Sequence, residues 1–516
     1  MTSPQGHSTR QSGTLLLAAF CLIYLAAIWA FHLGSAAVGC PAFRDQHLGA
    51  ALLYAKNGID LLHPVIPGFN AAGTPTPLEI PFWQAAAALA IRATGGWWGG
   101  ANIASLLFFS SCLIPLFLLA RQWLGSTGAW WTTLFFLAQP VVFLQAGVAS
   151  TDGASLASLV WFLFAVDGVI RKQTRAFFAL ALVTGLWCAV SKLPFFIEAG
   201  LASGLMLIWH APKSLRAWIM VAAVGIAGAA ALFFWARHVD AMLDLAEFRY
   251  RGLTLSEIPW FYFGDLKYRL TPINYVRAGW IFLNALFGSF VLLSFFVWGV
   301  WISRKSWGWA LALGFVVVAL IFFKLVFTHK HYYLMLTPTV ALLCAAAATD
   351  IIRRLSHRNA MHVLAVIFAP LLFLSTIQGL MGLEVFGIFD PYAKQIANII
   401  RQNTGTQSHL LIAGGGWGGD MLIRAGREGL SIDSTAFLRD PANRKRLAEL
   451  GYDTFVSISE SPLLDAVQRT NPGSFSRKRI TWQEATSPVD DNWPVIYSDE
   501  NVVIKKINWD SATAAP

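Results

Sequence analysis

The chain has 516 residues, of which 56% are hydrophobic and only 13% charged, with a mean hydropathy of +0.55. So much apolar surface excludes an ordinary soluble globular protein and indicates a polytopic α-helical membrane protein. The net charge of +10 points to anionic lipid headgroups rather than nucleic acid, because much of it lies in short loops between apolar segments.

A membrane crossing needs about 20 mostly apolar residues. On that measure helices are expected near 13–35, 101–121, 127–147, 153–171, 176–191, 194–210 and 217–236. More are expected near 278–302, 307–327, 332–351 and 361–383, about eleven spans in all. Residues 13–38 follow Arg10 and imitate a signal peptide, and Ala-Val-Gly-Cys at 37–40 hints at lipoprotein processing. The many later spans favour an uncleaved first helix. Lys192-Leu193-Pro194 breaks the stretch 176–210 into two short pieces. Trp97, Trp98, Trp130, Trp131, Trp307 and Trp309 stand at segment ends, as in an interfacial belt. Cys21, Cys112, Cys188 and Cys344 lie in apolar segments and Cys40 just beyond the first, so no disulfide framework or metal spacing is visible.

Two connecting loops are too long to be simple links. The first, about 36–100, holds a helix-like stretch at 47–57, a Pro/Gly-rich turn at 63–77 and an apolar stretch at 80–93. Both helical pieces are read as lying along the membrane interface, since one more crossing would invert the charge sorting of every later loop. The second, about 237–277, is rich in charge and aromatics, including Glu247, Arg249 and Arg251, and long loops of this kind are usually functional or disordered. From about 388 the composition becomes that of a soluble domain. Strand-like runs His409–Ala413, Thr454–Ser457 and Val502–Ile507 alternate with helical stretches at 391–403 and 440–450, a small α/β unit. The expected division is a membrane domain over 1–387 and an extracytoplasmic domain over 388–516. Gly414-Gly-Gly-Trp-Gly-Gly419 follows a strand without forming a dinucleotide fingerprint, and reads as a tight strand-to-helix turn.

Threading these segments sorts the charges. Arg121, then Arg171, Lys172 and Arg175, then Lys213 and Arg216, then Arg304 and Lys305, then Arg353, Arg354 and Arg358 all fall on one face. The positive-inside rule makes that face cytoplasmic, with the N-terminus inside and the C-terminal domain outside. Asp45, Glu79, Asp152, Lys192, His329 and His331 fall on the opposite face, and lone ionisable residues gathered at one interface suggest chemistry or binding there.

Asp45 opens the first outer loop and Asp152 lies at the outer end of a span. Two carboxylates at one membrane depth can converge on a divalent cation (Mg, Mn or Zn), or one can serve as a general base. Each can equally cap a helix, and Thr151-Asp152 suits a cap. Glu79, wedged between prolines, reads either as a site acid or as a helix-start acid favouring the dipole. Lys192 can meet a lipid phosphate as a point charge, or simply snorkel to the interface. Thr328-His-Lys-His-Tyr-Tyr333 joins two spans on the outer face; His329, His331 and Tyr332 can bind an anionic headgroup or anchor the interface.

Arg44-Asp45, the Gly58 to Pro64 turn, Pro77-Leu-Glu-Ile-Pro81, Asp152, Ser191-Lys192 and His331-Tyr-Tyr followed by Leu-Thr-Pro338 occur together in this order. As a set they resemble the GT-C membrane glycosyltransferases, specifically the family-39-like group of protein O-mannosyltransferases and aminoarabinose transferases. The resemblance implies an inverting transferase with a polyprenyl-phosphate-linked sugar as donor and a glycan, lipid or protein as acceptor, working at the outer face of a bacterial cytoplasmic (inner) membrane. It implies Asp45 as the catalytic base or metal-linked acid, with Asp152 and Glu79 as further site acids. Arg44, Lys192, His329, His331 and Tyr332 are its candidates for the donor phosphate, and Asp45 with Asp152 for a metal. Thr74-Pro75-Thr76-Pro77 departs from relatives that carry a basic residue before this segment, and weakens a phosphate-binding role for that loop. The alternative class is a multi-span transporter or lipid flippase, which would be expected to show internal repeats and broken helices with polar residues near the midplane; no repeat is visible.

Overall fold

The computed structural model describes residues 5–37, 44–246, 248, 262–304, 307–355, 360–382, 391–413, 419–432, 435–458, 493–499 and 501–509. Cys40, Glu247, Arg249, Arg251, Lys305, Arg358, the turn 414–418 and the side chain of Asp45 lie outside the described residues. The chain divides into two compact units, the first made of Met1–Ala37, Asn102–Ala236 and Leu255–Val385, the second of Val38–Ala101, Arg237–Thr254 and Phe386–Pro516.

The first unit is helical. Its elements include α1 (Gln5–Ala37), α4 (Gly99–Leu137), α5 (Pro140–Gln145), α6 (Asp152–Lys172), α7 (Arg175–Ser191), α8 (Leu193–His210) and α9 (Leu215–Asp244). They continue through α10 (Leu266–Leu270), α11 (Pro272–Phe282), α12 (Phe290–Ile302), α13 (Trp307–Ile321), α14 (Phe323–Thr328), α15 (Thr337–Leu355) and α16 (Ala360–Gly382). Among the described residues six helices are long and apolar enough to cross a membrane, and a bent pair gives a seventh. Their burial separates two roles. The most apolar window of α6 is 89% buried, that of α9 only 17%. In α6 small residues let neighbours approach: a side chain on Gly153 would come within 3.1 Å of the Ser105 carbonyl, and one on Gly168 within 2.1 Å of the Phe177 ring. On α9, by contrast, Ile226 and Phe234 are exposed, the pattern of a lipid-facing helix.

The breaks have local causes. Gly125 adopts φ 77° inside α4, splitting that helix just after Arg121. Lys192 is extended (φ −158°, ψ 123°) between α7 and α8, with Pro194 in the first turn of α8. The stretch read as one span at 278–302 bends by 88°. Its π-helical turn Leu283–Phe287 ends at Gly288 with φ 64°, and the Ser289 hydroxyl accepts from Leu292 N at 3.4 Å to start α12. Between α13 and α14 the chain kinks at Phe322, where Arg269 donates to the Leu320 and Ile321 carbonyls at 3.0 and 2.6 Å. Cys21, Cys112, Cys188 and Cys344 are buried free thiols.

The second unit contains α2 (Asp45–Asn57), α3 (Phe82–Ala93), α17 (Pro391–Asn403), α18 (Asp420–Ala425) and α19 (Pro441–Glu449). It also carries a five-stranded sheet of β1 (His409–Ala413), β2 (Glu428–Ile432), β3 (Tyr452–Ile458), β4 (Val495–Ser498) and β5 (Val502–Lys506), ordered β2-β1-β3-β5-β4. β1 runs parallel to β2 and β3, and β5 antiparallel to β3 and β4. Alternation fixes the two faces: Leu410, Ile412, Val456 and Ile504 pack under Ile396 and Ile400 of α17, while Leu411, Ala413, Leu430 and Phe455 face Leu438, Leu447 and Trp493. Strands β2 and β4 were not foreseen. β2 carries Gly429, where a Cβ would sit 2.1 Å from the Leu410 carbonyl, so close pairing replaces the apolar alternation that signals a strand.

The long first loop belongs to this same unit. Arg92 of α3 donates to the Ala55 and Tyr54 carbonyls at 2.8 and 2.7 Å, tying α3 to the end of α2. The Pro/Gly-rich turn is pinned by Thr76 N donating to the Pro64 carbonyl at 2.7 Å, and Gly68 pairs beside Leu430 as an extension of the sheet edge.

Candidate functional site

In the first unit four of the sequence-selected residues converge around Asp152. Gly153 and the small residues after it set α6 deep in the helix packing, so Asp152, the first residue of that helix, is fully buried. Its Oδ2 accepts from the Ser150 hydroxyl at 2.8 Å, and its own N–H donates back to Ser150 Oγ at 3.3 Å. Its Oδ1 accepts from the Lys192 ammonium, whose side chain is 8% exposed. The extended backbone at the α7–α8 break is what aims Lys192 at α6. The two readings of Asp152 therefore meet: it does stand at a helix start, where the dipole favours an anion, yet it is also bonded across helices. The preceding Thr151 supplies no side-chain cap.

The ammonium of Lys192 lies 5.1 Å from the centre of the Tyr332 ring, within cation–π range. Tyr332 is stacked obliquely on His331 (ring centres 4.3 Å apart), and His329 follows at 5.5 Å from His331. All three come from one tight helical segment, Lys330–Leu336, and the His329 residue that caps it. The segment winds tightly because Tyr333, Leu334, Met335 and Leu336 are all buried at once. His331 itself is 4% exposed. Asp152, Lys192, Tyr332, His331 and His329 thus form one chain of contacts.

Arg44, Asp45 and Glu79 belong to the second unit. Arg44 precedes α2 in extended conformation, and its carbonyl accepts from His47 N at 3.1 Å and Leu48 N at 2.9 Å. Glu79 forms an ion pair with His47 at 2.7 Å, their side chains 16% and 3% exposed. The His47 ring packs edge-on near Trp83 (centres 6.2 Å apart). This pair fastens the Pro77–Pro81 segment to the helix that starts at Asp45. His47 was missed by sequence reasoning, although its position two residues after Asp45 was the available signal. Ser150 was missed too, its only signal being proximity to Asp152. So was Asp167, fully buried in α6 and bound by Arg171 Nε at 2.9 Å and Trp123 Nε1 at 3.1 Å.

Among the described residues no three His, Cys, Asp or Glu side chains are grouped to hold a metal ion. At Asp152 one carboxylate oxygen is bonded to Lys192 and the other to Ser150.

No protein-family model matches the chain, and no curated protein matches it. Solved structures do. ArnT from Cupriavidus metallidurans, bound to undecaprenyl phosphate, aligns with a TM-score of 0.62 at 13% identity, covering 95% of this chain and 97% of that one. The Archaeoglobus fulgidus oligosaccharyltransferase, complexed with Zn and sulfate, aligns at 0.54 and 11% identity over 85% of this chain and 68% of its own. The arabinofuranosyltransferase AftD from Mycobacteria aligns at 0.51 and 15% identity, covering 86% of this chain and 35% of that one. These alignments run across both units, and they show that the chain has the fold of the GT-C membrane glycosyltransferases.

Proposed function

We propose that the protein is an inverting glycosyltransferase that moves a sugar from a polyprenyl-phosphate donor to a glycan, lipid or protein acceptor. The observation that carries this reading is the buried Asp152–Lys192 pair flanked by Tyr332 and His331, on a fold shared with membrane glycosyltransferases. A buried lysine loses its charge unless a partner holds it. Asp152 supplies that partner and aims the Lys192 amine where it can meet a phosphate oxygen.

In the proposed reaction Asp45 takes the proton of the acceptor hydroxyl, and the acceptor oxygen forms a bond to the anomeric carbon. The bond from that carbon to the phosphate oxygen breaks, its electron pair leaving with the lipid phosphate. Lys192, His329 and His331 donate to the phosphate as its negative charge develops, and Tyr332 holds the ammonium in place. Arg44 is the second candidate cation. The sequence resemblance is what brings Asp45 and Arg44 into this reaction. Glu79 acts through His47 to fix the loop behind α2. We also read the eleven apolar stretches of the sequence as eleven crossings of a bacterial inner membrane, N-terminus cytoplasmic and residues 388–516 extracytoplasmic, which the charge sorting supports.

The test is to incubate the purified protein with a panel of radiolabelled polyprenyl-phosphate sugars and follow transfer or slow hydrolysis. Donor-dependent sugar release that Asp45→Asn abolishes while donor binding persists is the expected result. The breaks at Lys192 and Gly288 are the feature a transporter reading would use. Movement of intact donor across a vesicle bilayer, with no sugar released and full activity in Asp45→Asn, would replace the enzyme reading with that one.

A further inference from the structure

The first loop and the sheet edge of the second unit border a cavity of about 480 Å³ that the transfer reaction does not use. Its wall is mostly hydrocarbon: Leu52 and Leu53 of α2, Val65 and Ile66 of the turn, Leu422 of α18 and the Trp98 indole. The charged groups around it are already engaged. Lys56 pairs with Glu428 at 3.5 Å and Asp60 with His63 at 3.0 Å. Arg427 spends its donors on Thr404 and on the carbonyls of Arg401, Ala425 and Gly426. The Tyr54 hydroxyl donates to the Asp60 carbonyl. Burial, then the Asp60 charge, pushes that phenol above its ordinary range, so it stays a donor.

A sugar would need free donors and acceptors in such a site, whereas a hydrocarbon chain needs only the wall. The loop beside the cavity also exposes Ile59 (39%) and Leu62 (56%), an apolar approach of the kind that interfacial segments present to lipid. The volume lies in the range of pockets for one compact ligand, too small for a long polyprenyl tail. We propose that this cavity takes a single acyl chain of a membrane lipid.

The test is photolabelling of the purified full-length protein in nanodiscs containing a phosphatidylglycerol with a diazirine in one acyl chain, with labelled peptides read by mass spectrometry. Labels are expected on the peptides carrying Leu52–Ile66 and Leu422. Filling the cavity by Leu52→Trp or, separately, Val65→Trp should cut labelling there about tenfold, as expected when about two methylenes are shut out. Val495→Trp, exposed on β4 and outside the cavity lining, should leave it unchanged. Two filling variants are used so that a folding failure in one, seen as loss of a monodisperse elution peak, leaves the other to decide. Labels confined to the helices of the first unit, or labelling that survives both fillings, would overturn the proposal. Displacement by polyprenyl phosphate as effective as by unlabelled phosphatidylglycerol would assign the cavity to the donor tail and overturn the acyl assignment. The readout needs no turnover, so it is independent of the transferase proposal.

Discussion

Replacing Lys192 by Met isolates what the Asp152–Lys192 pair does. Both side chains are buried, at 8% and 0% exposure, so solvent screening gives little relief. Met keeps most of the stem volume but removes the cation bonded to the Asp152 carboxylate. Stranding one member of a buried pair costs about 3–5 kcal/mol. The double variant Asp152→Asn/Lys192→Met removes both charges and should recover most of that loss, because an uncharged pair of similar size is often as stable as the ion pair. Turnover should not follow stability: both variants should lose donor-dependent sugar release, since neither has an ammonium for the phosphate. The assay pairs the half-life at elevated temperature in detergent, suited to irreversible unfolding, with release of radiolabelled sugar. A stable Lys192→Met single variant would refute the electrostatic reasoning. A double variant that regained turnover would show the pair to be structural and remove Lys192 from the phosphate site.

Three further outcomes follow from the geometry. Tyr332→Phe keeps the ring under the ammonium 5.1 Å away and should change donor binding little, whereas Tyr332→Ala should weaken it by about 0.5–2 kcal/mol, measured as the Kd for polyprenyl phosphate. Glu79→Ala removes the acceptor bonded to His47, so the Pro77–Pro81 segment should become more susceptible to limited proteolysis, with a stability loss of about 1–3 kcal/mol for the lost buried partner. Gly288→Ala adds a methyl 1.9 Å from the Ser375 carbonyl at a backbone φ of 64°; the conformation alone costs about 1–3 kcal/mol, and a marked fall in yield of folded protein should report it.

Much of the fold was legible because lipid imposes simple rules. The apolar stretches read as spans are largely helical, since a helix satisfies its own backbone without water, but those at 127–147, 278–302 and 307–327 are broken. Lys192-Leu-Pro194 announced its break, as proline rules out a continuous ladder there. The bend at Gly288 did not, because glycine is common in membrane helices and the cause, close approach to Ser375, is tertiary. Strand β2 was hidden for a similar reason: its Gly429 is chosen by the neighbouring Leu410 carbonyl rather than by alternation. In the site, Lys192 and the His329–Tyr332 segment were visible as lone polar groups at the ends of apolar runs. Ser150 and His47 were not, since closeness in sequence to Asp152 or Asp45 is too weak a signal until a partner is known, and Asp167 was not either.

The charge balance of the cluster limits what Lys192 can do alone. Asp152 and Lys192 as an ion pair carry no net charge, so an arriving lipid phosphate gains a hydrogen-bond donor and little net attraction. In a buried setting that is not enough to hold an anion. Further donors are needed, and within the first unit the adjoining segment offers them through His329, Lys330 and His331, with His331 joined to Lys192 through the Tyr332 ring. In the proposed reaction Asp152 positions the Lys192 side chain, and the His329–His331 segment donates to the phosphate. Loss of Asp152 should therefore raise the barrier to transfer more than it weakens donor binding, whereas replacing His329 and His331 together should chiefly weaken binding. That split between turnover and affinity distinguishes a positioning carboxylate from the groups that touch the phosphate.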